Sequence, residues 1–206
     1  MGGEEFLPGR SRPTSWASLL AMSAPPPEAA LRLWIEEAVV GLNLCPFAAP
    51  VLRAGGLGIE ISDAQNAEEA VQASLAAAVS LLDEHDPQIT TLLLAFPAAL
   101  ERFEEFLDMV SAVEEELRKA DAVGVLQLAT FHPRYRFEGV AEDDLGNWTN
   151  RAPFPLVHFL REDEVERAIA EHPDPQGIPA ANVRRLHELG EDTLLTIWSQ
   201  FQSGNR

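Results

Sequence analysis

The chain is poor in cysteine, lysine and long apolar runs, and each shortage removes a class of protein. One of its 206 residues is a cysteine, Cys45. A lone cysteine permits no intrachain disulfide and fits a reducing cytosol, so a cytoplasmic location is expected. No stretch approaches the roughly 20 consecutive apolar residues of a membrane-spanning helix. A single lysine, Lys119, stands among 15 basic residues, against 33 acidic ones, for a formal charge of −18. A field of that sign repels phosphate backbones and anionic lipid surfaces, so neither nucleic acid nor a membrane is expected as a partner. Motifs are missing too. There is no Walker loop, no Gly-x-Ser-x-Gly elbow and no His-Glu-x-x-His. Gly55-Gly56-Leu57-Gly58 departs from the dinucleotide fingerprint and precedes its strand instead of following one. The commonest nucleotide, hydrolase and zinc-protease readings fall away, and no motif calls for a cofactor.

What remains has ordinary globular composition, 46% hydrophobic and 23% charged, and enough length to bury a core in one domain. Residues 1–24 read as a disordered extension. Trp16 to Met22 is apolar like a secretory signal, but Glu4 and Glu5 sit where such a signal needs positive charge. Ordered patterning begins only after Met22, which makes Met22 a candidate natural start. Residues 25–202 read as a single α/β domain and 203–206 as a flexible tail.

After Pro25-Pro26-Pro27, apolar spacing predicts a helix from about Glu28, with Leu31, Trp34 or Ile35, Ala38 and Leu42 on its buried stripe. A short strand follows at 57–61. Asn66 and Glu69 form a capping-box variant that opens a helix with a Val71, Leu75, Ala78, Leu82 stripe. Asp86-Pro87 ends it. Ile89 to Phe96 has the pattern of a strand buried on both faces. Pro97 is expected to start a third helix whose core face is Leu100, Phe103, Leu107, Val110 and Leu117. Strands at 123–131 and 156–160 and three C-terminal helices complete the chain, with a break at His172-Pro173-Asp174-Pro175. The expectation is an α/β layered sandwich, about four strands in a mixed or mostly parallel sheet with helices packed on it.

Chemistry-bearing residues concentrate in the 132–155 segment. It holds Pro133, Pro153 and Pro155, so little of it suits regular structure, and irregular segments of this length are usually functional or disordered. Tyr135, Phe137, Trp148 and Phe154 supply apolar anchors; Asn147, Asn150, Arg134, Arg136 and Arg151 supply directional polar groups. The segment is either a site wall or a surface loop stapled onto a helix by its aromatics. Asn147-Trp148-Thr149 matches a glycosylation sequon that would be inert in a cytosolic protein. His132, at a strand end feeding this loop, is the acid/base candidate, with a turn-closing histidine as the plain alternative. His158 sits mid-strand beside Leu156 and Leu160, which favours a packed, internally satisfied ring. His85, His172 and His187 read as solvated. Cys45 follows a helix C-terminus, where the dipole disfavours a thiolate, so it is a nucleophile only with help and otherwise a small hydrophobe. Arg151 and Arg161 offer planar forks for an anion, with Asp143, Asp144 and Glu162 as alternative partners. Cys45, His132 and His158 lack zinc-ligand spacing, and metal binding through them is the weakest reading.

Four motifs stand in order: Val40-Gly-Leu-Asn-Leu-Cys-Pro-Phe-Ala48, Phe131-His-Pro-Arg-Tyr-Arg-Phe137, Asn147-Trp-Thr-Asn-Arg-Ala-Pro-Phe-Pro155 and His158-Phe-Leu-Arg-Glu162. Together they resemble a bacterial family catalogued as domain of unknown function 1415, over about residues 27–190. The resemblance implies a bacterial, cytoplasmic protein and transfers no catalytic residue.

The expected function is a small-molecule enzyme or ligand-binding protein with a polar cleft for an anionic ligand. His132 and Cys45 are its catalytic candidates. Arg151, Asn147, Asn150, Tyr135, His158 and Arg161 are its substrate contacts. The rival is an interaction domain whose aromatic loop meets a partner, which requires Trp148 and Phe154 to be exposed. Reaction class and oligomeric state leave no mark in the sequence.

Overall fold

A computed structural model describes residues 25–83, 88–122 and 124–202. The expectations for residues 1–24 (Met22 included), His85, Asp86-Pro87, and 203–206 lie outside them. Helix α1, Pro27–Trp34, runs without a break into a π-helical stretch, Ile35–Val40. A seven-residue helix α2, Ala48–Ala54, follows. Then come β1 (Leu57–Ile61), α3 (Ala67–Leu82), β2 (Thr91–Ala95), α4 (Phe103–Lys119), β3 (Leu126–Phe131), a 3-10 turn at Leu145–Asn150, β4 (Leu156–Arg161), α5 (Glu162–Glu171), α6 (Ile178–Leu189) and α7 (Glu191–Gln202).

The four strands form one mixed sheet in the order β1-β2-β4-β3. β1 and β2 are parallel, as a strand-helix-strand crossover requires, while β4 runs antiparallel to both β2 and β3. β2 lies inside the sheet and every one of its residues is buried. Its alternation divides the core in two. Leu92 and Leu94 point to a layer shared with α3, α4, Val157 and Phe159, whereas Leu93 and Ala95 point to a layer shared with α1, Leu156 and α7.

Helix faces departed from expectation in instructive ways. On α3 the buried residues are Ala70, Ser74, Ala77, Ala78 and Leu81, with Val71, Leu75 and Leu82 only half-buried. Apart from Leu81, the inward side chains are small, and Val71, Leu75 and Leu82 pack at the flanks. The third helix starts at Phe103, six residues after Pro97. Leu100 has φ 64°, a left-handed conformation that no α-helix can pass through. Leu107 is 41% exposed, and Phe106, Met109 and Val113 take the core face instead.

The π stretch explains why the α1 stripe was ambiguous between Trp34 and Ile35: both are buried, because a wider turn brings neighbouring positions onto one face. Its bonds reach back five residues, Gly41 N–H to Glu36 O at 2.9 Å and Leu44 N–H to Val39 O at 2.9 Å. Gly41 sits at its end. A Cβ there would stand 2.4 Å from the Glu37 carbonyl oxygen, a backbone atom with no room to yield. Gly41→Ala is expected to lower stability by about 1–3 kcal/mol, in line with other overpacking substitutions, as read from urea unfolding midpoints.

Candidate functional site

The α1 side of the sheet is not covered completely. Between α1, the Cys45–Leu52 corner and α5 lies a cavity of about 540 Å³. Its floor is sheet: Leu93, His158 and Ala129 stand side by side in one cross-strand row, with Thr91 and Leu160 in the next. One wall is Trp34, Ile35 and Val39, from the α1–π junction. A second is Cys45, Phe47 and Val51, and a third is Val165 and Ala168 of α5. The charges at its edge, Arg161, Glu164, Arg167 and Glu171, carry mixed sign. Arg167 already pairs with Glu164 at 2.9 Å, and Arg161 donates through Nη2 to the Leu81 carbonyl.

Local bonding fixes the corner. After the π stretch the chain turns at Asn43, φ 50°, and α6 holds it from outside: Asn182 Nδ2 donates to Leu44 O at 2.6 Å, and Arg185 Nη1 to Leu42 O at 2.6 Å. Cys45 is thereby set against the cavity, half-buried, and its carbonyl accepts from Ala48 N–H at 3.2 Å. Burial pushes its thiol pKa up, outweighing the lowering influence of the nearby Phe47 and Ala48 backbone N–H groups, so the side chain is a neutral thiol. Phe47 packs edge-on against His172, 5.6 Å between ring centres, and both border the cavity.

His158 and Thr91 are the polar groups on the floor. His158 Nε2 lies 2.5 Å from Thr91 Oγ1, which in turn donates to the Phe159 carbonyl at 2.8 Å. The ring opens onto the cavity but is enclosed by protein on its other sides, and burial pushes its pKa down to about 4.

Of the residues singled out by sequence, Cys45, His158 and Arg161 border this cavity; the others do not. His132 is fully buried against Phe103 and Phe106 of α4, on the opposite side of the sheet. Nε2 donates to Leu100 O at 3.0 Å and Nδ1 accepts from Arg134 N–H at 3.0 Å, so the ring closes a turn and has no nitrogen to spare. Burial lowers its pKa as well, ahead of any other influence. Asn147, fully buried, accepts from Phe137 N–H at 3.0 Å and donates to Ala141 O at 2.7 Å. Asn150 donates to Thr130 O at 3.0 Å. The Asn147 carboxamide serves the loop's own backbone, and that of Asn150 ties the loop to β3. Tyr135 packs between Phe103, tilted at 5.1 Å, and Phe137, edge-on at 5.0 Å. Arg151 lies over the Trp148 ring at 5.0 Å and donates to Glu142 O at 3.0 Å, while its carbonyl receives the Trp34 indole N–H at 3.1 Å. Its Nε is buried without a partner among the described residues.

The 132–155 segment is therefore docked, not open. Trp148 is 8% exposed, edge-on to Trp198 of α7, and Phe154 is half-buried, so the exposure that the interaction reading requires is not met. Among the described residues no three His, Cys, Asp or Glu side chains gather as a metal would need, and His132 is on the far layer from Cys45 and His158. Sequence reasoning missed Leu93, Val165, Ala168 and His172. The signal in the sequence is the apolar pair Val165 and Ala168 on α5, a helix with no fully buried residue; Leu93 and His172 lie outside that helix and leave none.

The family described as a protein of unknown function (DUF1415) matches residues 27–196, from the first residue of α1 into α7. The chain belongs to that family. No curated protein and no solved structure matches the chain. The matched span takes in the segments around Cys45 and His158 that border the cavity. It equally takes in those around His132 and Asn147 that brace the loop.

Acid should reveal the two buried rings. Unfolded, each imidazole titrates near 6.5; folded, burial holds both lower, His158 at about 4. The unfolded state thus binds more protons below pH 6.5, so stability present above that pH is lost as it falls toward 4. His158 alone should contribute a loss of about 2 kcal/mol between pH 7 and pH 4.5. Urea unfolding at pH 7 and pH 4.5 measures this, and His158→Phe should flatten the slope.

Proposed function

We propose that the protein binds a small, largely apolar molecule in the cavity between α1, α2 and α5, with His158 as its polar contact. The supporting observation is the cavity: about 540 Å³, within the 300–1,000 Å³ typical of small-molecule sites, and walled largely by apolar side chains, with the His158 imidazole on its floor and His172 at its border. This reading departs from the polar, arginine-anchored cleft that the sequence suggested. Arg151 is occupied in the loop, the edge charges are of both signs, and the two arginines among them, Arg161 and Arg167, are already engaged. It also moves the ring of interest from His132, which has both nitrogens bonded, to His158. Cys45 then acts as a small wall residue. A neutral thiol and an imidazole of low basicity are poorly matched to nucleophilic catalysis at neutral pH.

Prodan, a neutral fluorophore that carries no hydrogen-bond donor, probes the site directly. Its emission should shift to the blue and saturate at one equivalent of protein. Ala168→Trp, which fills the cavity from α5, should abolish the shift while the melting temperature stays within a few degrees. Equal binding to both proteins would locate the probe elsewhere and remove the support for this reading.

A further inference from the structure

Resting on the reading of the cavity as a ligand site, we infer that its floor selects a neutral ligand that donates a hydrogen bond. Such a ligand is an alcohol, phenol or amide N–H on an apolar body, preferred over a carboxylate of the same shape. Protons are countable at Thr91. Its Oγ1 carries one, and lies 2.8 Å from the Phe159 carbonyl oxygen and 2.5 Å from His158 Nε2. A carbonyl can only accept. Were the hydroxyl proton turned toward the imidazole, two oxygens would meet lone pair to lone pair at 2.8 Å, in a site where Thr91 is 7% exposed. Turned toward the carbonyl, it leaves Oγ1 free to accept from Nε2–H, and all three groups are satisfied. The His158 ring is therefore the Nε2–H tautomer.

That tautomer places the ring's lone pair on Nδ1. Nδ1 meets no hydrogen-bonding group among the described residues, yet it is not a sealed, unpartnered polar atom as Arg151 Nε is. It therefore has access to the cavity that the ring lines. Burial keeps the imidazole uncharged at neutral pH, so the lone pair stays available. The row in which it sits is otherwise Leu93 and Ala129, which offer no donor. A ligand hydroxyl or N–H meets this acceptor and is satisfied. A carboxylate would bring oxygen lone pairs against a nitrogen lone pair and lose its water without replacement, a costly arrangement in apolar surroundings. The site thus discriminates by the direction of one hydrogen bond.

Two measurements test this on the full chain. The first competes 4-hydroxybiphenyl, 4-methoxybiphenyl and biphenyl-4-carboxylate against prodan at neutral pH. The hydroxyl compound should bind about fivefold or more tightly than the methyl ether, the increment of one neutral hydrogen bond, with the carboxylate weakest. In His158→Phe the hydroxyl advantage should vanish. Equal affinities, a tightest-binding carboxylate, or an advantage that survives His158→Phe each overturns the inference while leaving the cavity a binding site. Absence of any prodan binding would instead sink the ligand-site reading beneath it. The second needs no ligand: a long-range proton–nitrogen correlation spectrum, with His158 assigned by its loss in His158→Phe. Nε2 should be the protonated nitrogen, and a protonated Nδ1 overturns the inference whatever the ligands do.

Discussion

A strand with no exposed residue obliges the rest of the chain to supply two apolar layers. Thr91–Ala95 imposes that requirement here, and the elements around it answer in turn. Leu92 and Leu94 call for α3 and α4 on one side; Leu93 and Ala95 call for α1 and α7 on the other. The first layer closes tightly, because α3 turns alanines and Ser74 inward and can approach the sheet. The second layer is assembled from α1 and the C-terminal helices and leaves room over His158. The cavity is thus the incompletely filled half of a two-sided burial problem, and its position follows from where β2 must sit.

Much of the architecture was legible because it obeys simple periodicities. The continuous apolar run at 89–96 does read as a strand buried on both faces, and the helix-strand order is visible from spacing and breakers. Three features escaped for identifiable reasons. Seven residues are too few for a helical stripe, so α2 left no pattern. A π stretch does not repeat at 3.6, which is why Trp34 and Ile35 competed for one position. A proline is tolerated at a helix start without compelling one, and Leu100 adopts a left-handed conformation that no local rule demands of leucine.

The site was less legible than the fold. Sequence marks where polar side chains are concentrated, and in the 132–155 segment that mark was accurate. It does not say what they face. Asn147, Asn150 and His132 bond backbone groups of the segment itself and its neighbours, because an irregular stretch that lies against a core must satisfy its own N–H and C=O groups. Polar density there reflects irregular backbone. His158 reads in sequence as a packed histidine, and it is packed. What spacing could not disclose is that one of its nitrogens is bonded to Thr91, a residue 67 positions away, and the other is not.

The π stretch at Ile35–Val40 carries one further consequence. A π turn amounts to an α turn with an extra residue taken up, so it is a stored insertion. The helix before it is anchored by Trp34 to the Arg151 carbonyl, and the corner after it is anchored by α6 to Leu42 and Leu44. Losing one residue between those anchors would restore regular α geometry and leave the segments on either side in phase, because the wide turn is what absorbs the extra residue. Cys45 and Phe47 would keep their place, and the change would fall on the wall positions inside the stretch, Ile35 and Val39. The wide turn therefore sets which side chains this part of the cavity wall presents without constraining the corner beyond it.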